Sequence, residues 1–477
     1  MPVSPIRQGC HSTNLRALLC LGAGLFYGGL SWGRTERLTL EEAYDRTLAT
    51  DQTVTIALIE SYKARLLPLS ALTILGPQIS ARLGYDPSEN TTTGGSGSPT
   101  AQTTPTGLIG VAPGNNRRVT TRTDLRRAAI TYSQTLFDFT VFPSYRLGKL
   151  TDQATRLQYQ ATVRDTLFGV ARAYYDVLKL QAVVEVNEDT LSLAEKQRDD
   201  SQSRVTAGVA PRTDVLRAIA TMENARRTLI ESQATLTLAR NTLGNILNLG
   251  GRLDFELVQP KDASFDDENF DDALTQAYAR REDYRISGIA IQQDIERRNR
   301  VKGEYWPRVV ADVSQNWDAY NGSSREVSNW EASLALEIPI FTGGQREIDL
   351  RTSQYQIDQT RLNHDKVAKT IQEELKAAWL AVRTLRETIK ALQAEVAAAA
   401  QNHEDLETKY RVGDATSLDV QSALRDLNNS RTSLETQTYD YQVALRDLQR
   451  AQAAFQPLRV GRAAEMLQSR APKKLSK

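Results

Sequence analysis

The chain has 477 residues, with 59 Lys and Arg against 58 Asp and Glu, a formal net charge of +1 and a mean hydropathy of −0.44. So near-neutral a balance gives no electrostatic case for nucleic acid or for a strongly acidic partner. Length alone suggests about three ordinary domains, but internal repetition overrides that prior.

Arg7 and Arg16 precede a largely apolar run from Ala17 to Trp32, with small residues at Ser31 and Gly33. This pattern reads as a secretory signal over residues 1–33, cleaved after Gly33; the alternative is an uncleaved membrane anchor. The residues before Cys10 and Cys20 do not fit a lipidation box. Both cysteines fall inside the signal, so the mature chain has none, which excludes a disulfide framework and a thiolate metal site. No later segment reaches the roughly 20 apolar residues that a membrane-spanning helix needs.

Leu38-Thr39-Leu40-Glu41-Glu42-Ala43 opens a helix, with Thr39 as N-cap and Glu42 completing a capping box. Helical pattern runs to about Leu66, and Pro68 and then Pro77 end it. From Gln78 to Asp86, Ile79, Ala81, Leu83 and Tyr85 alternate with polar residues, the period of a strand. Pro87 to about Asp124 is rich in Thr, Ser, Gly, Pro and Asn and reads as a long exposed loop. A second strand sets Ile130, Tyr132 and Leu136 against Thr131, Ser133 and Thr135, and ends in Leu136-Phe137-Asp138. After Pro143 a long helix is expected from Ser144 to Arg204, with Val163, Leu167, Val170, Tyr174 and Val177 on one face. Its turn spans Thr206 to Pro211, a return helix runs from Thr213 to Leu247, and Gly250, Gly251 and Pro260 mark a connector.

The second half repeats the first. Phe270-Asp271-Asp272-Ala273 mirrors Leu40-Glu41-Glu42-Ala43, and two alternating strands follow Pro307. Ile340-Phe341-Thr342-Gly343-Gly344 mirrors Leu136-Phe137-Asp138. Gln345 to Arg411 contains neither Gly nor Pro, and its apolar residues from Leu375 to Ala399 step alternately by three and four, a coiled-coil seam. At 1.5 Å per residue such a helix is roughly 100 Å long and needs partners along most of its length. It stops at Gly413, and a return helix runs from about Thr416 to Phe455. The expected organisation is therefore a first repeat over 34–260, a second over 261–457 and a basic disordered tail over 458–477. The fold class is mostly α with a small β part, built from long antiparallel helical hairpins and four strands per chain.

Each strand has one apolar face and one polar face. A soluble sheet would pack the apolar face on helices, yet the helices already spend their apolar faces on one another; the other solution is a membrane barrel with lipid outside and a polar lumen. In hydrocarbon an open sheet edge is forbidden, and four strands are too few to close, so several copies would have to pool their strands.

These residues resemble the TolC family of outer-membrane efflux and secretion channels over nearly the whole mature chain, from Leu38 to Phe455. The resemblance rests on the paired opening helices, the two motifs after the strands, and the tip turns Gly208-Val209-Ala210-Pro211-Arg212-Thr213-Asp214 and Gly413-Asp414-Ala415-Thr416-Ser417-Leu418-Asp419. It implies a homotrimer whose twelve strands form one barrel in outer-membrane lipid, over a coiled-coil tunnel that crosses the periplasm and closes at its far tip. It also implies a periplasmic adaptor and an inner-membrane pump or ABC transporter docked at Gly208, Val209, Ala210, Gly413, Asp414 and Ala415.

In that comparison Asp419 matches the first aspartate of the constriction, and Ser422 stands where the second would be. Tyr410 matches a tyrosine bonded to the aspartate at Asp214, and Thr213 matches its neighbour. Ala415 stands where an arginine would join neighbouring subunits, with Arg411 or Arg212 as replacements. Each residue also has a plainer reading. Asp214 and Asp419 suit the first turn of a helix, Tyr410 suits packing, and Gly208 and Gly413 suit tight turns with positive φ. Three symmetry-related copies of Asp419 around one axis would repel one another and attract cations. His364 and His403 lie too far apart on one helix to share a metal, and no nucleophile elbow, phosphate-binding loop or zinc spacing is present. No catalytic residue, metal or cofactor is expected, and lumen charge is too mixed to select a cargo. The competing function is a soluble periplasmic structural or adaptor coiled-coil protein.

Overall fold

The computed structural model describes residues 36–94, 102–103, 109–110, 117–251, 255–261, 269–320 and 326–455. The expected signal, residues 95–101, 104–108 and 111–116 of the polar loop, and the basic tail lie outside the described residues. The first half comprises β1 (Glu36–Leu38), α1 (Leu40–Thr50), α2 (Gln52–Ala64), α3 (Leu67–Leu72), β2 (Gln78–Gly94), β3 (Gln102–Thr103), β4 (Ile109–Gly110), β5 (Arg117–Phe137), α4 (Val141–Thr206) and α5 (Arg212–Ile246). β6 (Phe255–Leu257) closes the first half, and the second comprises α6 (Phe270–Arg280), α7 (Glu282–Gly303), β7 (Arg308–Tyr320), β8 (Glu326–Glu337), α8 (Gln345–Val412) and α9 (Ser417–Ala451).

The opening helix starts as its sequence dictates: Glu42 N donates to Thr39 Oγ1 (3.3 Å) and Thr39 N donates to Glu42 Oε2 (3.0 Å). It does not run unbroken to Leu66. Asp51 leaves helical geometry at ψ 130° and its carboxylate accepts from Val54 N (2.8 Å), capping a new helix. Pro68 does not end a helix either; it sits in the first turn of α3, where a missing N–H costs nothing.

α3 lies close against α4. A Cβ added to Gly148 would stand 2.7 Å from Pro68 N and 2.9 Å from Leu67 C, both backbone atoms that cannot step aside. Gly148→Ala should therefore cost about 1–3 kcal/mol by overpacking. Gly169→Ala, on the same helix with nothing within 4 Å, should be neutral or stabilising. Thermal unfolding of the two variants checks this, and equal midpoints would contradict the packing.

α4 and α8 are 66 and 68 residues long, each roughly 100 Å. α4 packs against α5, α7 and α9, and α8 against α7 and α9. Each half has its own core. Leu167, Val170, Tyr174 and Val177 are buried in the first, and Ile371, Leu375, Ala378 and Val382 in the second. From Leu385 to Ala399 the expected seam is only half-buried, because one chain covers only one side of it. A parallel pairing of β1 with β6, absent from the sequence expectations, ties the two ends of the first half together. The Tyr174 hydroxyl donates to the carbonyls of Val258 (2.6 Å) and Leu38 (2.8 Å) across that junction, and burial pushes its pKa up to about 12, keeping the donor proton in place.

The four long strands form one antiparallel sheet in the order β2-β5-β7-β8. β2 extends to Gly94 and β5 begins at Arg117, so much of the expected loop is strand. Register places Ile79, Tyr132, Val313 and Ala332 directly opposite one another, and the next pairs along each strand add Leu83, Ile130, Trp317, Trp330 and Leu334 to that face. The opposite face carries Arg82, Thr131, Asp312, Ser314 and Glu331. A bulge between Thr135 and Phe137 drops Leu136 from the ladder and brings Phe137, not Leu136, opposite Val309. Among the described residues no helix covers the apolar face: Leu83 is 86% exposed, Trp330 70% and Leu334 71%. The sheet-on-helix alternative is therefore not what this chain adopts, and among the described residues β2 and β8 each keep one edge unpaired. Among the described residues no helix is long and apolar enough to cross a membrane.

Candidate functional site: the helical tip

The two long helices end in matched turns. α4 closes with Gly208 at φ 73°, where Val209 N donates to Arg204 O (3.0 Å). α8 closes with Gly413 at φ 93°, where Asp414 N donates to Lys409 O (2.8 Å). Both are Schellman closures in which a left-handed glycine satisfies the last carbonyls. Val209, Gly413 and Asp414 are exposed at the extreme end, while Ala210 and Ala415 are half-buried.

The return helices start differently. α9 has a full capping box: Asp419 N donates to Thr416 Oγ1 (3.3 Å), and Asp419 Oδ2 accepts from Thr416 Oγ1 (2.7 Å) and Thr416 N (2.9 Å). The Thr416 hydroxyl, and then its backbone N–H, hold the Asp419 carboxyl below the usual carboxylate range. Asp419 is thus a cap and also an exposed fixed negative charge. α5 begins after Pro211, which has no capping side chain; Thr213 is exposed in its first turn and Asp214 half-buried beside it. Ser422, one turn beyond Asp419, has its hydroxyl 3.5 Å from Arg425 Nη2. Arg217, Asn224, Leu418 and Asn428 join these two in lining a groove between α5 and α9.

Tyr410 does not reach Asp214 within the chain. It is buried, with its hydroxyl 3.2 Å from Ser201 Oγ on α4. Arg204, also on α4, donates to the carbonyls of Tyr410 and Arg411, and its guanidinium lies 4.6 Å from the Tyr410 ring centroid. One arginine thereby fastens the end of α4 to the end of α8. The local signal was slight: a cation in the last turn of a helix suits its own terminus, and here it serves the neighbouring helix instead. Of the two candidate replacement arginines, Arg411 pairs with Glu407 on its own helix, whereas Arg212 has no partner among the described residues.

His403 is buried between α8 and α9. Burial pushes its pKa below the ordinary histidine value; Glu407 on its own helix opposes that shift and Arg431 on α9 adds to it. The unfolded chain therefore takes up this proton at a higher pH than the folded one. The stability contribution of neutral His403 is complete above about pH 6.5 and is lost as pH falls below it. Protection factors of α8 amides around His403, taken relative to the intrinsic exchange rate at each pH, should fall at pH 5 relative to pH 7.5, and His403→Gln should flatten the difference; an unchanged pH response in that variant would refute it.

A sequence profile described as outer membrane efflux protein matches residues 71–249 and 274–454, one segment in each half. The outer membrane efflux protein BepC of Brucella suis biovar 1 is 25% identical over 319 residues, covering 65% of this chain and 69% of its own. The outer membrane protein TolC of Vibrio cholerae serotype O1 is 22% identical over 336 residues, covering 69% and 76%. Among solved structures, the outer-membrane channel OprN superposes with a TM-score of 0.70 at 16% identity, covering 87% of this chain and 90% of its own. The CmeC outer membrane channel of Campylobacter jejuni superposes with a TM-score of 0.69 at 14% identity, covering 98% and 97%.

Proposed function

The chain belongs to the outer membrane efflux protein family, and from that premise we propose that three copies assemble into one passive conduit across the outer membrane and periplasm. The observation that carries this reading is the sheet: four strands, one uncovered apolar face and two unpaired edges. Hydrocarbon forbids those edges, so β2 of one copy pairs with β8 of the next until the ring of twelve strands closes. The helical hairpins pool below it, which covers the half-buried seam from Leu385 to Ala399. The export signal over 1–33 is removed, and the repeats 34–260 and 261–457 form the working protein.

The tip is the gate in this reading. The exposed turns at Gly208, Val209, Ala210, Gly413, Asp414 and Ala415 meet a periplasmic adaptor, and an inner-membrane pump supplies the energy for efflux or for secretion. Asp419 from three copies narrows the entrance, and Arg212, without a partner among the described residues, reaches the neighbouring subunit in place of the arginine missing at Ala415.

Purified protein should run as a heat-modifiable oligomer and conduct in a planar bilayer. A freely soluble monomer would refute the assembly. Asp419→Ala should reduce cation selectivity and weaken block by multivalent cations, since it removes one fixed charge per subunit from the axis. Selectivity unchanged from the wild type would remove Asp419 from the gate.

A further inference from the structure

β5 carries two adjacent arginines in opposite surroundings. Arg127 lies on the polar face, 3.6 Å from Asp86 Oδ2 and 3.7 Å from Asp318 Oδ1. Arg126 lies on the apolar face, opposite Tyr85 on β2 and Ala319 on β7. It is exposed, and among the described residues it has neither a hydrogen bond nor an ion pair. Leu83, Tyr85, Ala128 and Trp317 border a shallow groove beside it. Beyond Arg126 the same register positions of β5 are Asp124, Arg122, Thr120 and Arg118, with Arg122 paired to Glu89.

Depth gives this arginine its meaning. At the helix end of β5, Phe137 packs against Phe139 and Phe142 in an aromatic cluster. Arg126 lies about ten paired steps further along the strand, allowing for the bulge. At about 3.4 Å per step and a tilt of about 40°, that is roughly 26 Å along the membrane normal, close to the height of a barrel's apolar band. Arg126 therefore stands at the outer limit of the band, at the end of the sheet away from the periplasmic helices, with Tyr85 and Trp317 at the level of an aromatic girdle. Aimed into hydrocarbon, an arginine is costly; at the headgroup level it faces phosphate, which a guanidinium grips with two parallel hydrogen bonds.

We propose that Arg126 binds a phosphate group of an outer-leaflet glycolipid, whose acyl chains lie along Leu83 and Ala128 and whose sugar rests against Tyr85 and Trp317. The inference rests on the sheet closing as an outer-membrane barrel with its helices on the periplasmic side.

Native mass spectrometry of the detergent-solubilised full-length oligomer, titrated with bis-phosphorylated lipid A, tests it. Lipid A should bind the wild type, bind Arg126→Ala about tenfold more weakly, and be partly restored by Arg126→Lys. Arg127→Ala, on the polar face, should bind as the wild type does. Dephosphorylated lipid A should not bind, and phosphatidylglycerol or inorganic phosphate should compete poorly. Undiminished binding in Arg126→Ala, equal binding of the dephosphorylated lipid, or equal competition by phosphatidylglycerol or inorganic phosphate would overturn the site. Should Arg126→Ala not assemble, Arg126→Gln and the lipid series on the wild type decide the matter alone. Absence of the wild-type oligomer would sink the barrel and the site together, whereas an intact oligomer with unchanged lipid binding sinks only the site.

Discussion

Val313→Arg should abolish assembly in the outer membrane, while Ser314→Arg, one residue further along the same strand, should leave it intact. Val313 lies near the middle of β7 on the apolar face, 44% exposed within one chain. An arginine facing lipid near the midplane costs about 2–4 kcal/mol, and every subunit of a ring would carry that cost. Ser314 faces the other way, among Thr131 and Glu331, where a cation meets a polar lumen. In a soluble sheet neither face would discriminate, because neither is packed on a helix. Membrane fractionation and the heat-modifiable band check the pair. Equal behaviour of the two variants would mean that the apolar face does not touch lipid.

Arg204→Ala should open the tip. Its guanidinium holds two carbonyls at the end of α8 and covers the Tyr410 ring, so its loss unfastens the two hairpins at the point where they meet. Hydrogen bonds from a charged donor of this kind are worth about 1.5–3 kcal/mol. A closed-to-open equilibrium would then move about tenfold to a hundredfold. Single-channel recording should find a larger or longer-lived conducting state, and Arg204→Lys should restore the closed state only in part, because one ammonium cannot both span two carbonyls and stack on the ring. Tyr410→Phe, which keeps the ring and removes the hydroxyl bonded to Ser201, should have the smaller effect. Wild-type conductance in Arg204→Ala would show that closure is held elsewhere, with the roles proposed for Arg212 and Asp419 between subunits the next to test.

The expected and observed helices agree where the signal is local. The span expected from Gln345 to Arg411 is found at Gln345–Val412, because a 3.6-residue period and flanking glycines act within a few turns of chain. The tip glycines and the Thr39 and Thr416 caps follow from the same short-range chemistry. Misjudged boundaries had short-range causes that compete. Asp51 could cap a new helix as readily as continue the old one, and Pro68 could begin a helix as readily as end one. The strands ran past the apolar alternation because, beyond the hydrocarbon band, ladder hydrogen bonds hold β2 to β5 and side-chain pattern no longer matters.

At the tip the expected turns are present at Gly208 and Gly413, but the sequence does not specify the contacts made there. Tyr410 was visible as a tip residue, yet its partner is Ser201 and not Asp214 within the chain. No local pattern marks Arg204, since its acceptors are carbonyls more than two hundred positions away in the chain. The amino-acid order by itself determined the repeat, the long helices, the tip turns and the two-faced strands, all of which are encoded by spacing along a few residues. Only the tertiary structure decided that all four strands turn their apolar sides the same way and stay uncovered, and that one arginine joins the hairpin ends. Register and packing between distant segments are properties of the folded pair, and no local pattern specifies them.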